Sequence, residues 1–300
     1  MRDVDILHHV GVVTADLEAT AATYERLGFL LTPLSVPRIP LTPGGEPQSL
    51  GVGNRTAIFR ENYLELLGVV DPGRWAAIPR ERLGPYNIDA PLRRYEGLHV
   101  LHLGADDLDA VHARYQRQGI PSSAPRPFER QVDTPDGPRL MRARSLAFPD
   151  GANPEALVQV AQHLTPELVL QPRFMGHPNG ATALTEVIVC TDVPEAVATR
   201  YGRYAGAQAE RVGNTLVIDL GRSRITVADP GALGEIIPGV IPPVLPFLAG
   251  FTVASDLQQA CETLRANGVP YQVHERRVIV PPREASGCAV LFASELTTRS

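Results

Sequence analysis

Four times the chain passes from an apolar run, through an aspartate that can cap a helix, into an amphipathic stretch that ends at a glycine followed by apolar residues. This recurring order constrains the fold more than any single motif, because each aspartate and glycine pair brackets one helix between strands. The first instance is Val10-Gly11-Val12-Val13, then Asp16 opening a helix through Tyr24 to Leu27 and Gly28. The second is Val100-Leu101-His102-Leu103, then Asp107 with Val111, Tyr115 and Gly119; the third is Val187-Ile188-Val189-Cys190, then Asp192 with Val197, Tyr201 and Gly206; the fourth is Phe251-Thr252-Val253, then Asp256 with Cys261, Leu264 and Gly268. Apolar residues recur at helical spacing within each, so each helix lays one face on a sheet.

Short apolar stretches punctuated by Gly and Pro follow each helix and read as strands: 57–59 and 63–67, 145–148 and 156–162, 216–220 and 225–227, 278–280 and 289–292. The fold class is α+β, built from four βαβββ modules. A unit of ~60 residues buries little apolar surface alone, so the modules are expected to pair into two cups or half-open barrels. The polar run 165–179 carries Pro166, Pro172 and Pro178 and is the best linker candidate. It sets two domains, 1–171 and 172–300.

Composition removes several functions. The formal charge is −5 with no basic run, which argues against a nucleic-acid partner. All 28 basic residues are arginine, so Schiff-base chemistry and lysine-anchored phosphate loops are excluded. Cys190, Cys261 and Cys288 form no CxxC pair, which speaks against a thiolate zinc site and for a reducing compartment. No segment approaches the ~18 apolar residues of a membrane span. The expectation is a cytoplasmic protein with no membrane partner; a homodimer is left open.

His9 sits in the first apolar run, and the Tyr63-Leu64-Glu65-Leu66-Leu67 strand can bring Glu65 to it. Alternation along the strand predicts that His8 points away from His9 and is exposed, and that His99 faces away from His102. Phe59 and Arg60 fall on opposite faces for the same reason. His112, His274 and the turn-like His177-Pro178-Asn179-Gly180 read as structural. The long segment 71–95, containing Trp75 and Tyr86, is a candidate lid.

With His9 seven positions before Asp16 and Tyr-Leu-Glu-Leu closing the module, the chain resembles the vicinal oxygen chelate superfamily, which includes glyoxalase I, extradiol dioxygenases and fosfomycin-resistance proteins. Within it the chain is similar to a glyoxalase-like subgroup, through the His-Val-Gly-Val start, Gly51-Val52-Gly53-Asn54-Arg55, Gln162-His163-Leu164-Thr165-Pro166-Glu167, and His-Pro-Asn-Gly. The module order covers nearly the whole chain, and these words cover mainly residues 5–180.

The resemblance implies a metal held by the first and last strands of each N-terminal module. His9 and Glu65 match those positions in the first module, with Glu65 also the catalytic candidate. In the second, seven before Asp107 stands Val100, so His102 is the candidate on the same face, and His163 is matched to the closing strand. The third and fourth modules place Thr185 and Ala249 at the first-strand position, and no metal is expected there. Imidazoles and a carboxylate suit Zn, Fe(II), Ni or Mn. Asn54, Arg55, Phe59 and Tyr63 are the candidate contacts to a small-molecule substrate with adjacent oxygens. The implied function is glyoxalase-like isomerase or lyase chemistry. The alternatives are an Fe(II)-dependent extradiol-type dioxygenase, since two histidines and one carboxylate form a facial triad, and a non-catalytic protein that sequesters a small molecule or antibiotic.

Overall fold

The computed structural model describes residues 3–39, 41, 45–79, 83 and 87–294. β1 (Ile6–Thr14) leads into α1 (Leu17–Arg26), a short ribbon of β2 (Arg38–Ile39) and β3 (Gln48–Ser49), then β4 (Val52–Ile58) and β5 (Tyr63–Val69). Helices α2 (Pro72–Ala77) and α3 (Asp89–Leu92) precede β6 (Gly97–Gly104), α4 (Leu108–Gln118), β7 (Arg126–Thr134), β8 (Gly137–Ala147) and β9 (Leu157–His163). After α5 (Pro166–Val169) come β10 (Ala183–Cys190), α6 (Pro194–Ala205), β11 (Ala209–Val212), β12 (Thr215–Asp219) and β13 (Arg224–Ala228). The chain ends with α7 (Pro230–Ile236), β14 (Phe247–Ala254), α8 (Leu257–Ala266), β15 (Gln272–His274), β16 (Arg277–Val280) and β17 (Ala289–Ala293). The fold is α+β, as the residue pattern implies.

Strand pairing repeats between the two halves. β1 runs parallel to β5 and antiparallel to β6, which is parallel to β9. β10 likewise runs parallel to β13 and antiparallel to β14, which is parallel to β17. A bridge between Leu98 and Leu248 joins β6 to β14, so the halves share one sheet.

Three helices start as expected: the carboxylates of Asp16, Asp107 and Asp256 accept from backbone N–H groups of α1, α4 and α8. α6 departs from the pattern. Its cap is Val193, with no side-chain bond, because Pro194 removes one of the N–H groups that Asp192 would have satisfied. Gly28 ends the first helical stretch at φ +85°, where a Cβ would meet Asn179 and Thr263, so a glycine is required by close approach as well as by backbone angle.

Alternation sends Leu7, Val10 and Val12 of β1 toward the helices, where they join Leu17, Tyr24, Leu101 and Tyr115. This core continues through the second half to Tyr201, Phe251 and Phe292. Tyr24 donates to Ala285 O at 3.3 Å and Tyr115 to Tyr204 O at 2.7 Å, so helices of one half bond backbone of the other.

The pleat is interrupted at corresponding places. Along β1 and β6 the pairing steps from Leu7↔Leu103 to His9↔His102, leaving His8 as an extra residue, and from Gly11↔Val100 to Val12↔Leu98, leaving His99 extra. Along β10 and β14 the extra residues are Thr185 and Ala249. A bulge of this kind turns two successive side chains to one face. It overturns the expectation for both His8 and His99: each is buried, on the face opposite the helices.

That face forms the two cups, and apolar cover fills part of each. Within the proposed lid segment Trp75 packs down: it is buried with Val13, Leu50, Val52, Ile88 and Val100, and its Nε1–H donates to Asp89 Oδ1 at 2.9 Å. Tyr86 lies outside the described residues. In the second half Leu233 and Ile237 from α7 and its end pack with Ile188, Phe247, Leu291 and Tyr95 over the cup floor.

Candidate metal centre

His9 and His102 are direct cross-strand partners, with ring centroids 4.2 Å apart. The bulge adds His8, whose Nδ1 lies 2.8 Å from His9 Nδ1 and whose ring lies 4.2 Å from that of His163 at the end of β9. Tyr63, beside His9 in the parallel pair, stacks on its ring at 4.4 Å and 11°. Two residues along β5, Glu65 places Oε2 at 3.9 Å from His9 Nε2. The structure therefore brings His9, Glu65, His102, His163 and Tyr63 together, and adds His8.

Alternation on β4 divides the remaining candidates. Asn54 faces the cup, and its Nδ2–H donates to Glu65 Oε1 at 2.7 Å. Arg55 faces the helix side, donating to Thr32 O at 3.0 Å and pairing with Glu25 at 2.8 Å. Phe59 is fully buried in the core, with ring contacts to Phe29 and His177. The expected substrate contacts through Arg55 and Phe59 are corrected: both lie behind the sheet, one strand face away from the cup.

Burial first, then neighbouring histidines, hold the His8 and His9 imidazoles well below their usual pKa. Burial alone takes His102 down to about 3, and burial with Arg130 takes His163 to about 4. All four are neutral near pH 7, the form that coordinates metal. Burial raises the Glu65 carboxyl, opposed by Arg130 and by the Asn54 hydrogen bond.

His8 Nε2, His102 Nε2 and both nitrogens of His163 are buried with no hydrogen-bond partner among the described residues. Such atoms are costly unless something binds them, at about 1–3 kcal/mol each. Among the described residues no three His, Cys, Asp or Glu side chains already form a shell round one point. The donor set nonetheless suits a divalent ion: neutral imidazoles, a carboxylate braced by an amide, and buried nitrogens with unmet bonding capacity.

The strand register also refines the correspondence between modules. His9↔His102 and Gly11↔Val100 relate β1 to β6 by a local two-fold, which equates His9 with Val100. Glu65 lies opposite Gly11 and Gln159 opposite His102, so Gln159, not His163, holds the position that answers to Glu65. In the second half Glu186 takes the place of His9 and is buried; Arg224 bonds it at 2.9 Å, and Thr226 and Thr252 each at 2.6 Å. Burial opposes its ionisation, but Arg277, Arg224 and the two hydroxyls outweigh it and hold the carboxyl below its usual value.

Two residues escaped the sequence reading. His8 was hidden by the bulge, which alternation does not anticipate. Arg130 stands on β7, acts electrostatically on Tyr63, Glu65 and His163, and donates to Ser35 Oγ at 3.3 Å. The Asp136-Gly137 turn between two long polar runs was the available signal for its hairpin. A cavity of about 1060 Å³ is lined by Ile120, Arg126 and Phe148, among others, and by none of these histidines. A second, of about 290 Å³, lies on the cup face among Val13, Leu67, Ile88, His99 and Val100.

A family model described as a glyoxalase-like domain matches residues 7–205, a span that holds every residue of this cluster. No curated protein matches the sequence. Among solved structures, a hypothetical protein from Staphylococcus aureus is similar at TM-score 0.62 and 12% identity, covering 96% of this chain and 98% of that one. The Mn(II)-bound glyoxalase from Novosphingobium aromaticivorans is similar at TM-score 0.52 and 12% identity, covering 99% and 84%. A catechol 2,3-dioxygenase is similar at TM-score 0.54 and 12% identity, covering 99% and 91%. The paired strand order, the cup-facing histidines and the extent of the family match together make this chain a member of the glyoxalase-like domain family, within the vicinal oxygen chelate superfamily.

Proposed function

We propose that the protein is a divalent-metal-dependent enzyme that binds a small substrate through adjacent oxygens and carries out isomerase or lyase chemistry in the N-terminal cup. The reading takes residues 1–171 as the unit that bears the chemistry and 172–300 as the unit that supports it. His9, His102, His163 and Glu65 would hold the metal. The observation that carries the reading is the set of buried, neutral imidazoles with unpartnered nitrogens beside Glu65. When bound, the ion would supply Lewis-acid polarisation of the two substrate oxygens.

The chain's own residues do the rest. Asn54 holds Glu65 Oε1, which leaves Oε2 directed toward His9. Tyr63 fixes the plane of the His9 ring. Arg130 supplies positive charge at the cup, suited to an oxyanion or carboxylate of the substrate. The cavity of about 290 Å³ that Val13, Leu67, Ile88 and Val100 line on the cup face would take a carbon substituent of the substrate. Three candidate imidazole ligands, His9, His102 and His163, exceed the two-histidine, one-carboxylate set of an Fe(II) oxygenase, which supports this chemistry over oxygenation.

Metal analysis of the purified protein tests the proposal. One equivalent of a divalent metal, lost in His9→Ala and Glu65→Ala, is the expected result. A metal-free protein that binds a small apolar ligand tightly would favour sequestration instead. Oxygen uptake dependent on Fe(II) would assign the oxygenase.

A further inference from the structure

Proton bookkeeping on the His8–His9 pair leads beyond the ligand set. The two Nδ1 atoms are 2.8 Å apart, so one ring must donate a proton to the other. A neutral imidazole carries one N–H. If His9 presents the Nε2 lone pair to a metal, its proton must sit on Nδ1, and His9 is the donor. His8 then accepts at Nδ1 and must carry its own proton on Nε2. That Nε2 is buried and has no partner among the described residues, and His8 as a whole is 8% exposed.

We propose that His8 is a substrate-binding residue whose Nε2–H donates a hydrogen bond to a substrate oxygen beside the metal, while its Nδ1 fixes the tautomer of His9. The inference rests on the metal-enzyme reading above. Both roles follow from one bulge: without the extra residue in β1, alternation would turn His8 toward the helices. The rings of His163 at 4.2 Å and Tyr63 at 5.5 Å pack against His8 and restrict its rotation, so the donor is held in place. The ligand class is a small molecule with two adjacent oxygens, one of them able to accept a further hydrogen bond as negative charge develops on it.

Two substitutions separate the two nitrogens of His8. Asparagine places an oxygen near the Nδ1 position and has nothing at Nε2; glutamine places an amide near Nε2 and leaves His9 without its acceptor. The probe is acetohydroxamate, which offers adjacent oxygens, titrated into the Co(II)-loaded protein and followed by its visible spectrum, with Co(II) affinity measured separately. His8→Asn is expected to hold Co(II) within about threefold of wild type and to bind acetohydroxamate at least tenfold more weakly. His8→Gln is expected to lose tenfold or more in Co(II) affinity, in the range for removal of a partner to a metal-ligating histidine. Loss of Co(II) in His8→Asn as severe as in His9→Ala would make His8 a direct ligand and overturn the proposal. Unchanged values for both variants would also overturn it, leaving His8 structural. A wild-type protein that binds no Co(II) would instead sink the metal-enzyme reading, and this inference with it.

Discussion

At the scale of single residues, the direction in which a side chain points decides its role, and two substitutions, one on each face of the first sheet, test this. Phe59 was an apparent substrate contact by sequence, yet, directly after β4, it turns into the core against Phe29 and His177. Phe59→Ala is expected to lower stability by about 3–5 kcal/mol in urea unfolding while leaving the metal affinity of the folded protein unchanged. Asn54 has the opposite profile. It is half-buried and braces Glu65 Oε1, so Asn54→Ala should weaken metal binding by about 10–100-fold at little cost in stability. Should Asn54→Ala bind metal as tightly as wild type, Glu65 would not depend on that hydrogen bond for its position as a ligand. His9 and Glu65 could be paired from the two apolar strands that carry them, whereas His102 and His163 entered only through the family resemblance, and the register assigns the position matched to His163 to Gln159 instead. His8 was not legible, because a single inserted residue reverses parity locally and leaves no mark in composition.

At the scale of elements, helix starts and stops were the most legible feature, since capping chemistry is local. Asp16, Asp107 and Asp256 cap as expected, and Gly28, Gly119, Gly206 and Gly268 all have positive φ. The strands that escaped reading are those whose stability comes from neighbours. β7 is exposed along most of its length and lacks an apolar face, so nothing in its residues announces a strand until β8 pairs with it. Arg130 was lost with it. Helix α7 was missed for a related reason: Pro230 and two glycines give it weak propensity, and packing over the second cup sustains it. The caps offer a direct comparison. Asp107 bonds the N–H groups of Asp109 and Ala110 at 3.0 Å, whereas Asp192 caps nothing. Asp107→Ala should lower the unfolding free energy by about 0.5–2 kcal/mol, and Asp192→Ala should stay within about 0.5 kcal/mol of wild type. Equal losses for the two would show that the α6 start depends on Asp192 after all.

At the scale of the whole molecule, the two halves are held by bonds that a loose linker would not make. His177 takes the N–H of Leu30 on Nδ1 at 3.0 Å and donates Nε2–H to Ile58 O at 2.8 Å, while Asn179 donates to Leu27 O. Arg222 pairs with Asp5 and Glu61 across the same junction, each at 2.8 Å. Unfolding should therefore follow one cooperative transition, and its midpoint should carry the titration of the buried histidines. Burial lowers the pKa of His177, and takes His99 to about 4. In the unfolded chain both groups have the ordinary value near 6.5. As pH falls below about 6.5, the unfolded state takes up protons that the folded state refuses, so stability is lost on acidification and is full above that value. Each such histidine contributes a slope of up to about 1.4 kcal/mol per pH unit between its two pKa values. For His177 burial lowers the pKa against the opposing Ile58 hydrogen bond, and a proton on Nδ1 would also face the Leu30 N–H. His177→Asn keeps an acceptor near Leu30 and removes the titration. Urea midpoints measured from pH 7.5 to 4.5 should fall less steeply for this variant than for the wild type, at equal metal-free conditions. Parallel pH profiles for the two proteins would place the acid sensitivity in the other buried histidines and not at the junction between the halves.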